Sequence, residues 1–133
     1  MKTVPPQEIA GVSERLHADG NTIVFTHGVF DLLHPDLIDQ FRKAAKLGTH
    51  LVVALYSDEM VGKIYGEKRS LIPLQDRVEV LAAMEMISYV TWFHEETPEN
   101  LVRELRPDVI VKVNDDLLRV IDKIVNLPSS DHM

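Results

Sequence analysis

Apolar residues recur along this chain in two alternating rhythms, one with helical spacing and one of short, nearly continuous runs. From Gln7 to Ala18 the apolar positions Ile9, Val12 and Leu16 fall on one helical stripe, and Asp19-Gly20-Asn21 reads as the turn that closes it. Thr22 to Thr26 is an apolar run of strand length, after which Gly28 is expected to let the backbone turn closely. The rhythm then changes. Leu37, Ile38, Phe41, Ala44 and Ala45 form the stripe of a helix predicted from Pro35 to Leu47, with Gly48 as its C-cap. His50 to Tyr56 is apolar at almost every position, the pattern of a strand covered on both faces.

The second half repeats the alternation. Ser57 or Asp58 caps a short helix, Glu59 to Ile64, and a loop of mixed charge, Tyr65 to Ser70, follows. Pro73 opens a helix with the stripe Leu74, Val78, Leu81, Ala82 and Met86, and Ser88 to Phe93 supplies a third strand. Thr97-Pro98 is an N-cap and first-turn pair for a helix ending before Pro107. Val109 to Val113 is a fourth strand, Asp116 to Val125 a last helix, and Pro128 to Met133 a frayed tail. Strands alternating with helices predict an α/β fold: a Rossmann-like parallel sheet of four or five strands with helices on both faces and right-handed crossovers. Residues 1–127 are expected to form one domain and 128–133 a flexible tail. Ligands of such sheets bind at the carboxyl ends of the strands, here Thr26 to Phe30, Ser57 and Asp58, His94 and Glu95, and Lys112 to Asp115.

Composition narrows the function. The chain has 133 residues, 45% of them apolar and 26% charged, enough for one globular core. A net charge of −7 argues against nucleic acid as a partner, because phosphate-neutralising proteins need a basic stripe. There is no Cys, no apolar run of the length a membrane span needs, and no apolar leader in Met1 to Pro6. A cytoplasmic protein with no membrane partner is expected.

The chemistry concentrates in Thr26-His27-Gly28-Val29-Phe30-Asp31-Leu32-Leu33-His34-Pro35-Asp36-Leu37, where a strand end, a turn and a helix start fall within twelve residues. A helix N-terminus offers unpaired N–H groups and about half a positive charge, so a phosphate placed there finds both. His34 stands at that mouth, although alone it could equally cap its helix. These residues resemble the nucleotidyltransferase superfamily built on T/G-x-F-D-x-x-H-x-G-H, in which Gly28, Phe30, Asp31 and His34 match. The likeness continues along Ala44 to Ser57, Arg69 to Arg77, Glu95 to Glu99 and Arg106 to Lys112. In that order the segments are most similar to the adenylyltransferase domain of ADP-heptose synthase, over about residues 20–116, with glycerol-3-phosphate cytidylyltransferase a further relative. Two positions depart from the motif: its Gly is Asp36 here and its second His is Leu37.

The resemblance implies attack of an acceptor phosphate on the α-phosphorus of an NTP, ATP or CTP with Mg²⁺, and release of pyrophosphate. The acceptor is expected to be a sugar phosphate or polyol phosphate, as in lipopolysaccharide core biosynthesis. It assigns His34 and Arg77 to catalysis, and Gly28, Val29, Phe30, Asp31, His34, Leu37 and Asp115 to nucleotide binding. Lys43, Lys46 and Arg69 are the candidates for the substrate phosphate; no residues are assigned as metal ligands. Lys43 and Lys46 flank Ala45, where the family carries its basic residue, and can also be read as solvated lysines at a helix C-terminus. A homodimer is expected from the family and from the apolar stretch Met84 to Trp92. The rival reading is a nucleotide-binding or interaction module on the same fold that has lost most of its turnover.

Overall fold

The computed structural model describes residues 2–31, 33–66 and 72–113, and its centre is β2, His50–Tyr56, six of whose seven residues are buried. β1 (Ile23–Gly28) pairs with it on one side, from Ile23↔His50 to Gly28↔Leu55, and β3 (Tyr89–Phe93) on the other, from Val52↔Tyr89 to Tyr56↔Phe93. β4 (Val109–Ile110) lies beyond β1, giving the all-parallel order β3-β2-β1-β4. The helices are α1 (Ile9–Ala18), α2 (Pro35–Ala45), α3 (Asp58–Tyr65), α4 (Leu74–Ala82) and α5 (Glu99–Leu105), with a 3-10 turn at Pro6–Glu8.

Both faces of the sheet are covered, which is why β2 can be apolar throughout. On one face Ile23, Phe25, Val52, Ala54 and Phe93 pack with Ile9, Val12 and Leu16 of α1, Met60 and Val61 of α3, and Leu101 and Leu105 of α5. On the other, Val24, Leu51, Val53, Leu55 and Val90 meet Leu37, Phe41 and Ala44 of α2 and Val78 and Leu81 of α4. The chain therefore leaves β1 through α2 on one face and reaches β4 through α5 on the opposite face. That reversal makes the crevice between the carboxyl ends of β1 and β4 the topological switch point, where open α/β sheets bind ligands.

Several expected boundaries shift for reasons of packing. β1 runs two residues past Thr26, to Gly28. α2 stops at Ala45, and Gly48 is no helix cap: a Cβ there would lie 2.8 Å from the Thr22 carbonyl oxygen, which accepts the N–H groups of Thr49 and His50 at 2.9 and 3.1 Å. α4 ends at Ala82, before Met86. α5 begins at Glu99, one residue later than expected, because Pro98 takes the capping position and its carbonyl accepts the Val102 N–H at 2.8 Å. Arg106, at φ 51°, closes the helix in the left-handed region before Pro107.

Two features were not anticipated. Residues Lys2 to Val4 lie against the outer edge of β3, with the Val4 N–H donating to Val90 O and the Val90 N–H to Lys2 O, both at 2.9 Å. At the amino edge of the sheet the Asp108 carboxylate accepts the Ile23 N–H at 2.8 Å and faces His17 Nε2 at 3.2 Å. That backbone hydrogen bond, with the His17 contact, holds the Asp108 carboxyl below the ordinary carboxylate range.

The stretch Met84 to Trp92 is mostly core rather than surface: Ile87 and Val90 are buried, and Met84, Met86 and Trp92 pack partly against the same cluster. Among the described residues no helix is long and apolar enough to cross a membrane. The expected helix Asp116 to Val125, the tail 128–133, Arg69 and Asp115 lie outside the described residues.

Candidate functional site

The turn after β1 is built by a phenylalanine, not a glycine. Phe30 has φ 53°, a left-handed conformation that is costly for a bulky side chain and persists only where packing over-determines it. Packing does so here: Phe30 is 2% exposed, and its ring meets Phe41 edge-on with centroids 5.1 Å apart. The same ring folds back over Gly28, where a Cβ would lie 2.7 Å from Phe30 Cζ. Gly28 is therefore required for clearance beneath the ring, while the reversal expected of it is made two residues later.

His34 follows in extended conformation, φ −144° and ψ 149°, as the N-cap of α2 with Pro35 in the first turn. Its Nδ1 accepts the Asp36 N–H at 3.1 Å. A ring nitrogen that accepts a backbone N–H carries no proton, so the neutral imidazole holds its proton on Nε2 and presents it as a donor. The cap reading and the ligand reading of His34 are thus compatible, because each uses a different ring nitrogen. Asp36 Oδ2 lies 3.7 Å from Nδ1, and both side chains are accessible, His34 at 40% and Asp36 at 34%. A carboxylate in the first turn suits the helix dipole but stands where an incoming phosphate would be repelled.

Arg77 requires a correction. It was expected to neutralise the triphosphate, yet it is 1% exposed and all three of its guanidinium nitrogens are engaged within the fold. Nε donates to Ile72 O at 2.9 Å, one terminal nitrogen to Val29 O at 3.0 Å, and the other to Asp58 Oδ1 at 2.7 Å. Asp58 completes the arrangement by accepting the Leu74 N–H on Oδ2 at 3.0 Å, which caps α4 from the start of α3. Arg77 therefore ties the turn after β1 to the starts of α3 and α4, and acts on any ligand by placing that turn. The signal lay in the sequence: Arg77 sits on the stripe of Leu74, Val78 and Leu81, so a cation in the apolar face of a helix had to find buried acceptors.

Other assignments also move. Leu37 is 1% exposed and packs in the cluster of Phe30 and Phe41, so its side chain serves the core and not a nucleotide. Lys43 pairs with Asp39 across one helical turn at 3.3 Å, and at 1.5 Å per residue it stands about 13 Å along α2 from His34, with Lys46 about 18 Å away. Both face the amino edge of the sheet, and Ala45 between them is packed partly against the core. They are therefore not positioned for the substrate phosphate at the carboxyl edge. Val29 is buried and offers the turn only its backbone, while Asp31 is half-buried within it.

The described part of the site is therefore the crevice at the ends of β1 and β4, with the capped start of α2 on one side. On the opposite face of the sheet His27 lies edge-on to Tyr56 and Phe93, with centroids at 5.8 and 5.9 Å, and the Tyr56 hydroxyl donates to Glu96 O at 3.2 Å. Among the described residues no group of three His, Asp or Glu side chains is arranged to hold a metal ion.

Comparison with known proteins agrees with this architecture. The cytidylyltransferase-like family model matches residues 25–129. The bifunctional protein HldE of Hahella chejuensis is 42% identical over 113 residues, which are 85% of this chain and 23% of that protein. The HldE of Geobacter sulfurreducens is 44% identical over 107 residues, 80% of this chain and 22% of that one. The chain thus spans less than a quarter of the length of these relatives. Among solved structures, a lipopolysaccharide core biosynthesis protein from Thermoplasma volcanium superposes with a TM-score of 0.62 at 27% identity, covering 68% of this chain and 73% of that one.

Proposed function

This chain belongs to the cytidylyltransferase-like family, and from that membership we propose that it is a nucleotidyltransferase acting on a sugar phosphate or polyol phosphate. The observation that carries the reading is the His34 cap, which spends Nδ1 on the helix and leaves an Nε2–H donor beside the N-terminus of α2, at the switch point of the sheet. An oxygen of the acceptor phosphate attacks the α-phosphorus of ATP or CTP. The new P–O bond forms as the bond to the bridging oxygen breaks, and pyrophosphate leaves with that electron pair. No covalent intermediate on the protein is needed. What the protein contributes is position and charge stabilisation: His34 and the helix N-terminus at the phosphates, and Arg77 holding the turn that places them.

Mg²⁺ enters as part of the nucleotide substrate, held by the phosphates with at most one or two carboxylates, a pattern usual for this ion. The names of the relatives support an acceptor from the assembly of lipopolysaccharide core, and the same reading includes a homodimer working in the cytoplasm. One observation favours a second reading, a nucleotide-binding module with little turnover. Leu37 is committed to the core, so the second motif donor is missing, and loss of one such donor typically lowers the rate about 100- to 1000-fold.

Titration with MgATP and MgCTP, followed by a pyrophosphate-release assay with a panel of sugar and polyol phosphates, separates the readings. The transferase reading expects binding of one nucleotide and acceptor-dependent release, both weakened at least several-fold in His34→Ala. Binding without release with any acceptor favours the module, and equal binding by wild type and His34→Ala removes His34 from the site.

A further inference from the structure

We propose that Lys112 binds a substrate phosphate from the side of the crevice opposite His34; this rests on the transferase reading above and adds a residue to it. β1 and β4 pair at Val24↔Val109 and Phe25↔Ile110, and the Val111 N–H donates to Phe25 O at 2.9 Å, so the register persists past the end of β4. Continued by two residues, it sets Lys112 beside His27, one residue short of Gly28, at the carboxyl edge. Val111 and Val113 are buried at 1% and 6% in the cluster that includes Phe30 and Leu37, whereas Lys112 between them is exposed. Strand alternation therefore puts Lys112 on the other side of the sheet from α2, and His34 and Lys112 flank the switch point from its two faces.

The charge distribution gives this placement its meaning. Lys43, Lys46, Arg103 and Arg106 stand in or just after the last turns of α2 and α5, which run back to the amino edge, and Arg77 is engaged inside the fold. Lys112 is different: no hydrogen bond or ion pair holds its ammonium in the structure, and it stands where the topology opens the crevice. His34 supplies a neutral donor and α2 a partial charge. A triphosphate and an acceptor phosphate meeting in a protein of net charge −7 need a full positive charge as well. A lysine ammonium serves phosphate as a point charge with three donors, with no demand for a planar partner. The phosphates of the nucleotide and that of the acceptor share this chemistry.

Calorimetric titration of the full chain with MgATP, adenosine and inorganic phosphate, for wild type, Lys112→Ala and Lys112→Arg, tests the assignment. Lys112→Ala should weaken at least one phosphate-bearing probe by about tenfold, the loss expected of one charge-assisted hydrogen bond, and leave adenosine unchanged. Lys112→Arg should retain most of the wild-type affinity, and an unchanged thermal midpoint for both variants excludes a folding effect. A loss confined to MgATP places the nucleotide's own phosphates on Lys112; a loss confined to inorganic phosphate places the acceptor's there. If wild type binds MgATP and Lys112→Ala binds both phosphate probes equally well, the proposal is overturned while the transferase reading stands. If wild type binds neither MgATP nor MgCTP, the reading itself fails and Lys112 with it.

Discussion

Arg77 and Leu37 lie on helices whose apolar stripes had been drawn correctly, yet both had been given roles at a ligand. Each residue sits at a position the stripe directs inward, so for both of them periodicity was the better guide to where the side chain goes than the motif was. His34 was readable from either source, since helix start and motif coincide there. The tautomer it adopts was not, because it depends on a backbone N–H placed by the fold. For Arg77 the consequence is measurable. Arg77→Ala removes the partner of Val29 O, Ile72 O and Asp58 and leaves a void, and should lower the free energy of unfolding by about 3 kcal/mol in urea titration. Arg77→Lys cannot reproduce the three-way fork and should recover only part of that loss. A change within about 0.5 kcal/mol for the alanine variant, the range of an ordinary surface substitution, would show that the tie is dispensable.

At the scale of elements, the alternation of runs and stripes located β1 to β3 and the helices among the described residues, because buried strands and amphipathic helices leave their periods in composition. Ends were less legible. The close approach of Gly48 to Thr22 and the capping position of Pro98 arise from contacts between segments distant from those residues' own rhythm. The carboxylate of Asp108 shows the same limit: it joins the start of β1 to α1 and to the approach to β4, a role no local pattern announces. Because its folded carboxyl is held below the ordinary value, its contribution is present above about pH 4 and is lost as pH falls through the folded value. Asp108→Asn should therefore be less stable than wild type at neutral pH. The difference should shrink steadily below pH 4 in denaturant titrations, and a gap that stays constant with pH would show that the charge of Asp108 contributes nothing.

For the whole molecule, a parallel sheet with helices on both faces followed from the order of elements, and the switch point followed from strand order, which only the three-dimensional structure supplies. The acidic balance was informative about partners but not about where the scattered cations lie. A homodimer remains the expectation, although the stretch that first suggested it is largely core. Sedimentation over a hundredfold dilution series at micromolar concentration should give a mass near twice 15.1 kDa, and a mass fixed at the monomer value would end that expectation. The short segment Lys2 to Val4 has a practical bearing on how this unit can be joined to others. With the Val90 N–H and carbonyl already satisfied, β3 is closed to strand exchange, and the natural cut for a fusion lies ahead of Lys2. A graft that starts at the first helix would unmask that row of peptide groups and convert a self-contained module into one that recruits strands from its neighbours.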